Sequence, residues 1–397
     1  MTSSPETSDL QRPPAAGARG AGPALCARCL YDSSTPGVSF DENGICNYCR
    51  LHDEMERQYP TGPAGDEILE QIVSEMKAAG RGKSYDCVVG VSGGCDSSFL
   101  VYKLVDWGLR PLAVHFDNTW NSPIATSNIF NVLEALDVDL HTLVVDNHEY
   151  DDLYRAFMLA GVRDIEAPTD IGLMATLYRA AEQHGVRYIV EGHSFRTEGI
   201  SPLGWLYMDG KYIESVHKQF GTVPLDTFPN MPLASFLKWA AWKNIRRIRP
   251  LYYVDYDKEK TKTFLSQELG WEWYGGHHLE NRFTAFYHSY FLPRRFDIDG
   301  RKLGYSALIR SGQMSREEGL ELIATPPQVD SEVVRLVMKR LNFSEEEFEH
   351  VMNLPRKTYL EYKTYKQTFR RLRWLFWVLY KLDRVPKSFY LKFAGSN

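Results

Sequence analysis

No apolar run in this 397-residue chain approaches the roughly 20 residues that span a bilayer; the longest obvious one covers only 374–380. Residues 1–11 lack the basic start and apolar stretch of a secretory signal. These two absences lead us to expect a cytoplasmic protein. Six cysteines are too few for a disulfide scaffold, and four of them fall into metal-type pairs. A net charge of only -5 argues against a chain-wide nucleic-acid coat. No internal repeat is visible. What is present is apolar content: 44% hydrophobic and 13% aromatic residues exclude a disordered or collagen-like chain. At a soft prior of roughly 150 residues per domain, two or three folding units are expected.

Residues 1–24, rich in Ser, Pro, Ala and Gly with no apolar period, read as a disordered leader. A small cysteine-bearing module follows at 25–60. Pro60-Thr61-Gly62-Pro63-Ala64-Gly65 reads as a linker, and 66–79 carries apolar residues at helical spacing. From Tyr85 strand-like segments (87–91, 112–116, 140–145 and 188–190) alternate with helical ones (97–107, 124–136, 153–159 and 173–184). Such alternation indicates an α/β fold, a parallel doubly wound sheet covered on both faces. Right-handed crossovers then put the ligand beyond the carboxyl ends of the strands. We take 85–250 as this unit, 251–330 as a mixed, aromatic-rich substrate region, and 331–397 as a mostly helical basic tail.

Cys26-Ala-Arg-Cys29 and Cys46-Asn-Tyr-Cys49 are two CxxC pairs, with Pro36-Gly37 and Asn43-Gly44 supplying turns between them. Each pair wraps a tight turn, and four thiolates complete a tetrahedral zinc shell. Iron is the other metal that thiolates take, and four free thiols in a loop is the plainer alternative. A closed shell leaves no position for catalysis, so the module is expected to hold structure or a partner.

Gly90-Val91-Ser92-Gly93-Gly94-Cys95-Asp96-Ser97 follows a predicted strand and opens a predicted helix. Adjacent glycines let backbone N–H groups approach phosphate, and the helix N-terminus adds a favourable dipole. Ser92 and Ser97 can donate hydroxyls, while Asp96 can hold a magnesium ion bridging the phosphates. No lysine stands in the loop, so it is not the GxxxxGK[ST] type. The string resembles the PP-loop ATP pyrophosphatase superfamily, which cleaves ATP to AMP and pyrophosphate while adenylylating a substrate oxygen.

Further strings narrow the likeness: His115-Phe116-Asp117-Asn118-Thr119-Trp120-Asn121-Ser122; Asp164 to Asp170; Glu191-Gly192-His193-Ser194-Phe195-Arg196-Thr197-Glu198-Gly199; and Tyr274 to Thr284. With the two cysteine pairs and Ser311-Gly312-Gln313-Met314, they resemble the N-acetyl sugar amidotransferase family over roughly residues 25–325. Thr119 departs from the Gly expected there. The resemblance implies an ATP- and magnesium-dependent conversion of a sugar acetamido group to an acetamidino group in bacterial surface glycan (LPS) synthesis, with zinc in the cysteine module.

Candidate nucleotide contacts are therefore Val91, Ser92, Gly93, Gly94, Asp96, Ser97, Phe116, Asp117 and Gly192, with Asp96 and Glu198 as the catalytic pair. Asp117 and Glu198 could instead simply cap helices. Candidate sugar or diphosphate contacts are Asn121, His193, His277, His278, Glu280 and Arg282; for the 277–282 cluster the alternatives are a metal, which His and Glu at this spacing also suggest, and buried polar packing. Cys87 and Cys95 have no evident base and read as packing residues. Once the cysteines are assigned, none is left for an internal glutaminase, and Met1-Thr2 offers no N-terminal one. Ammonia must come from solution or from a separate subunit, and the resemblance points to a glutaminase partner.

Finally, residues 356–397 hold eleven Lys/Arg against Glu361 and Asp383, a net +9 that leaves -14 for the rest. Interleaved aromatics suit an anionic membrane surface, although the same segment could pack as an ordinary helix across the acidic body. Two competing functions are a tRNA sulfurtransferase of the same superfamily and an ATP-binding scaffold without chemistry. The first needs reactive cysteines and binds a polyanion that an acidic body suits poorly.

Overall fold

The computed structural model describes residues 23–202, 204–276, 279–382, 384–385 and 390. The leader falls outside them apart from its last two residues. Two helices precede the sheet, α1 (Asn47–Gln58) and α2 (Pro63–Ala79). Then come β1 (Cys87–Gly90), α3 (Cys95–Asp106), β2 (Pro111–Asp117), α4 (Pro123–Ala135), β3 (Leu140–Val144), α5 (Asn147–Leu159), α6 (Ala167–Gln183) and β4 (Tyr188–Val190). Beyond them lie α7 (Gly210–Phe220), α8 (Leu233–Leu237), β5 (Arg246–Ile248), α9 (Lys258–Leu269), α10 (Arg282–Phe286), α11 (Leu292–Phe296), α12 (Arg301–Arg310) and α13 (Arg316–Ala324). Four more helices follow: α14 (Ser331–Arg340), α15 (Glu345–Met352), α16 (Lys366–Arg371) and α17 (Arg373–Lys381).

The five strands are parallel, in the order β3-β2-β1-β4-β5. The central strands are continuous apolar runs because helices cover both faces; Val88, Val89, Ala113 and Val114 have no exposed surface. β5 was not legible in the sequence. Its residues are Arg-Arg-Ile, and as an edge strand it carries polar side chains that half-exposed positions tolerate. α5 and α6 each start about six residues before their apolar period. Asp146 caps α5 by accepting from His148 N (2.9 Å) and Glu149 N (3.1 Å), and Pro168 fits the open first turn of α6.

After β1 the chain turns towards β2 and β3; β4 and β5 lie on its other side. The strand order therefore reverses between β1 and β4, the switch point where open α/β sheets bind ligands. The loops that leave β1 and β4 face each other there. The last helices belong to the same body: Val337, Phe343, Phe348 and Val351 share one buried cluster with Leu153, Phe157 and Phe283. Phe369, Phe376 and Leu379 pack with Val88, Leu112 and Tyr178 against the sheet.

Candidate functional site

The loop after β1 is held open by its backbone. Gly93 has φ +77°, and a Cβ there would stand 2.1 Å from the Ala125 carbonyl oxygen, so no other residue fits. Its own carbonyl accepts from Trp271 Nε1 (2.9 Å) and Asn128 Nδ2 (3.3 Å). Ser92 is exposed; its Oγ lies 3.3 Å from Ser97 Oγ and accepts from Gly94 N at 3.3 Å. Two hydroxyls thus flank the N-terminus of the twelve-residue α3, the geometry that cradles phosphate. Val91 is buried, and its carbonyl accepts from His115 Nδ1 at 2.9 Å. Asn121 Nδ2 donates to His115 Nε2 (2.9 Å), which fixes the neutral tautomer; burial also holds the imidazole below its usual pKa.

Asp96, on the first turn of α3, is the hub of a buried charged set. Its Oδ1 accepts from Tyr256 OH (2.6 Å) and its Oδ2 from Lys258 Nζ (3.0 Å). Burial alone would raise the Asp96 pKa, but the Lys258 ammonium and the Tyr256 hydroxyl override it and hold it below the ordinary carboxylate value. Glu198 is hydrogen-bonded to Asp96; burial, and then the Asp96 charge, push it well above a normal glutamate. Glu280 adds a third carboxylate to this field, and its Oε1 and the Tyr274 hydroxyl both stand over Gly94. Gly192 lets the β4 loop press onto α3: a Cβ there would lie 3.3 Å from the Asp96 carbonyl.

His193 sits between Glu198 Oε2 (3.7 Å from Nε2) and Tyr252 OH (3.1 Å from Nδ1). Burial, then the charge of Arg249, push its pKa down to about 3, so it stays neutral. Glu191 next to it is a structural clamp. Burial opposes its charge, but Arg247 and Arg249 hold it down to about 2.

The β2 loop forms the other wall. Asp117 Oδ1 accepts from Thr119 N (2.8 Å), and Thr119 is left-handed, with φ +64°. The departure from Gly therefore falls where the backbone favours Gly, and it is compensated from afar. Arg340 of α14 donates Nη1 to the Thr119 carbonyl (2.6 Å), Nη2 to Thr119 Oγ1 (2.7 Å), and a two-nitrogen fork to Asp151. Its guanidinium lies 3.9 Å from the centre of the Trp120 ring. Asn121 pairs with Asn281 as an isolated antiparallel bridge, which brings Glu280 to the glycine loop after β1.

Most candidates thus converge. Ser92, Gly93, Gly94, Asp96, Ser97, Gly192, His193, Glu198 and Glu280 meet at the switch point, with Asp117 and Asn121 on the adjoining loop. Phe116 is in the core, packed over Gly172 and against Tyr150. The Arg282 backbone is tied to the Trp120 carbonyl, with its side chain exposed. His277 and His278 lie outside the described residues. Sequence reasoning missed Lys258, Tyr256 and Arg340, which no local string marks, and Tyr274, which opens the 274–284 string. It also passed over Glu166, although the 164–170 string contained it. Burial, then the charge of Asp170, raise Glu166 to about 8, and its Oε1 has no hydrogen-bond partner among the described residues.

The four paired cysteines are fully buried, with their sulfurs within 4.8 Å of one another. Sulfur–sulfur distances of 3.6, 3.7 and 3.8 Å match the edge of about 3.8 Å that a tetrahedron with 2.3 Å zinc–sulfur bonds requires. Arg310 supports this set, Nη2 on Cys29 Sγ (3.1 Å) and Nε on Cys49 Sγ (3.4 Å), so a cation offsets the thiolate charge. The donor set fits and could hold zinc. The module also braces the β4 loop. Tyr31 OH donates to the Ile200 carbonyl (3.1 Å), and Arg196 grips Glu56 of α1 with two nitrogens (2.8 and 2.7 Å).

No curated protein matches the chain. Among solved structures, NMN synthetase from Francisella tularensis is 15% identical, covering 71% of this chain and 95% of its own, with a TM-score of 0.31. NH3-dependent NAD synthetase from Campylobacter jejuni is 13% identical, covering 70% and 93%, with a TM-score of 0.30. Residues 280–375 match the family model described as "LPS biosynthesis protein WbpG-like, C-terminal domain". The chain thus joins a five-stranded parallel sheet to a C-terminal stretch, residues 280–375, similar to the WbpG-like domain of LPS biosynthesis proteins.

Proposed function

We propose that the chain is an ATP-dependent, amidation-type ligase of bacterial surface polysaccharide synthesis, converting the acetamido group of an N-acetyl sugar to an acetamidino group. The observation that carries this reading is the Asp96–Glu198–Lys258 set at the mouth of the glycine loop, with the WbpG-like stretch delivering Glu280 to the same mouth.

An amide carbonyl is a poor electrophile because oxide would have to leave. Transferring AMP to that oxygen, with pyrophosphate departing, gives an imidate whose leaving group is AMP. Ammonia then adds to the carbon, loses a proton and expels AMP, leaving the amidine. In this scheme Ser92, Ser97 and the Gly93 and Gly94 N–H groups bind phosphate oxygens, and the Lys258 ammonium offsets charge that builds on the departing pyrophosphate. Asp96 and Glu198 are two hydrogen-bonded carboxylates whose oxygens suit a hard dication, and magnesium bound there would supply charge neutralisation of the triphosphate. Asn121 and Glu280 face the sugar.

Cys87 and Cys95 are buried, and burial, then the Asp96 charge, push Cys95 up to about 12. Neither suits a thiolate nucleophile, which counts against sulfur transfer and against an internal glutaminase. Ammonia then comes from solution or a glutaminase subunit. Incubating the chain with candidate N-acetyl sugar nucleotides, ATP, magnesium and ammonium should exchange one oxygen for NH by mass spectrometry and release AMP and pyrophosphate. ADP and orthophosphate as products, or turnover on glutamine alone, would refute this mechanism.

A further inference from the structure

The C-terminal helices bury one face and leave the other apolar. Phe369, Phe376 and Leu379 enter the core beneath the sheet. On the opposite side of α17, Trp374 is 67% exposed, Trp377 48% and Val378 37%, with Leu382 at 55% just beyond the helix. These positions follow the i, i+3, i+4 spacing of a single stripe. Large aromatics exposed together in this way are unusual on a soluble surface.

Cations frame the stripe. Arg370, Arg371 and Arg373 precede it and Lys381 follows, all exposed, and Lys381 Nζ lies 5.8 Å from the Trp377 ring centre. No acidic residue occurs between Glu361 and Asp383. At the far end, Arg384 lies in the field of Arg246 and Arg187, and its Nη1 has no acceptor among the described residues. A third tryptophan, Trp242, is 86% exposed on a π-helical turn (Lys238–Trp242) that packs into the same cluster as α17. Cations around exposed tryptophans are what an interface of acyl chains and anionic headgroups selects. The strongly acidic remainder of the chain is repelled by that interface, so the attraction also orients the molecule.

We propose that this face, Trp374, Trp377 and Val378 with Arg370, Arg371 and Arg373, seats the protein on an anionic phospholipid surface. No helix among the described residues is long and apolar enough to cross a membrane, so the contact is peripheral. The inference stands independently of the reaction proposed above.

Sedimentation of the full chain with vesicles tests it. Binding is expected with phosphatidylcholine containing phosphatidylglycerol, weakly with phosphatidylcholine alone, and should fall as salt is added. A Trp374→Ala/Trp377→Ala variant should lower partitioning roughly tenfold or more, and an Arg370→Gln/Arg371→Gln/Arg373→Gln variant roughly a hundredfold, at about fivefold per lost charge. Both change exposed side chains, and an unshifted melting temperature verifies the fold. Sedimentation that ignores phosphatidylglycerol, or that survives both variants, overturns the proposal. So would a concentration-dependent dimer that the tryptophan substitutions dissolve, or binding to an RNA oligonucleotide in place of vesicles.

Discussion

Glu166 is a carboxyl group buried against other carboxylates. Burial comes first and the Asp170 charge second in raising it to about 8; Glu280 adds to the push, and hydrogen bonds from Thr169 and Thr284 oppose it. A raised folded-state pKa means that its stabilising share is complete below the unfolded value of about 4.3. It is lost as pH climbs to about 8. Glu166→Gln removes the titration, so the variant should hold its melting temperature between pH 5 and 8 while the parent falls. Parallel melting curves in nucleotide-free buffer would refute this. Gly93 offers a second residue-scale expectation. Gly93→Ala meets both a left-handed backbone and the Ala125 carbonyl at 2.1 Å. It should cost at least ~2 kcal/mol in denaturant unfolding and abolish ATP turnover.

At the scale of elements, α14 reaches across the molecule to hold the β2 loop. Arg340 donates two hydrogen bonds to Thr119 of that loop and two to the mostly buried Asp151 of α5. Arg340→Ala leaves a buried carboxylate unpaired and frees Thr119, which should cost about 3 kcal/mol. It should also lower kcat/KM for ATP by an order of magnitude or more. Arg340→Lys should rescue little, because one ammonium cannot replace the planar fork. Full activity in the lysine variant would show that charge alone is enough. The parallel sheet was legible because its central strands are apolar runs between glycines and helical periods. β5 was hidden by Arg246 and Arg247; Glu191 needs the charge of Arg247 together with that of Arg249 just past the strand. Lys258 was invisible for another reason: the loop itself has no lysine, and the residue that serves it arrives 162 positions later. Pairing over that separation is a property of the fold, and no local spacing announces it.

For the whole molecule, the cysteine module supports the loop bearing Glu198. Tyr31 holds Ile200, Arg196 ties that loop to α1, and Arg310 joins the sulfurs to α12. Metal analysis should find one zinc per chain. Cys46→Ser should lose it, destabilise the chain by on the order of several kcal/mol, and depress turnover in parallel. Activity that survives loss of zinc would reduce the module to a separate appendage.

Arg340 has a further consequence, for the newborn chain. Synthesis runs from the N-terminus, and early domains usually fold while later ones are still being made. Here the loop after β2 waits for a guanidinium encoded more than two hundred codons downstream. A nascent polypeptide stalled before α14 can lay down its central strands yet not a finished β2 loop, so incomplete translation products should lack the activity proposed above.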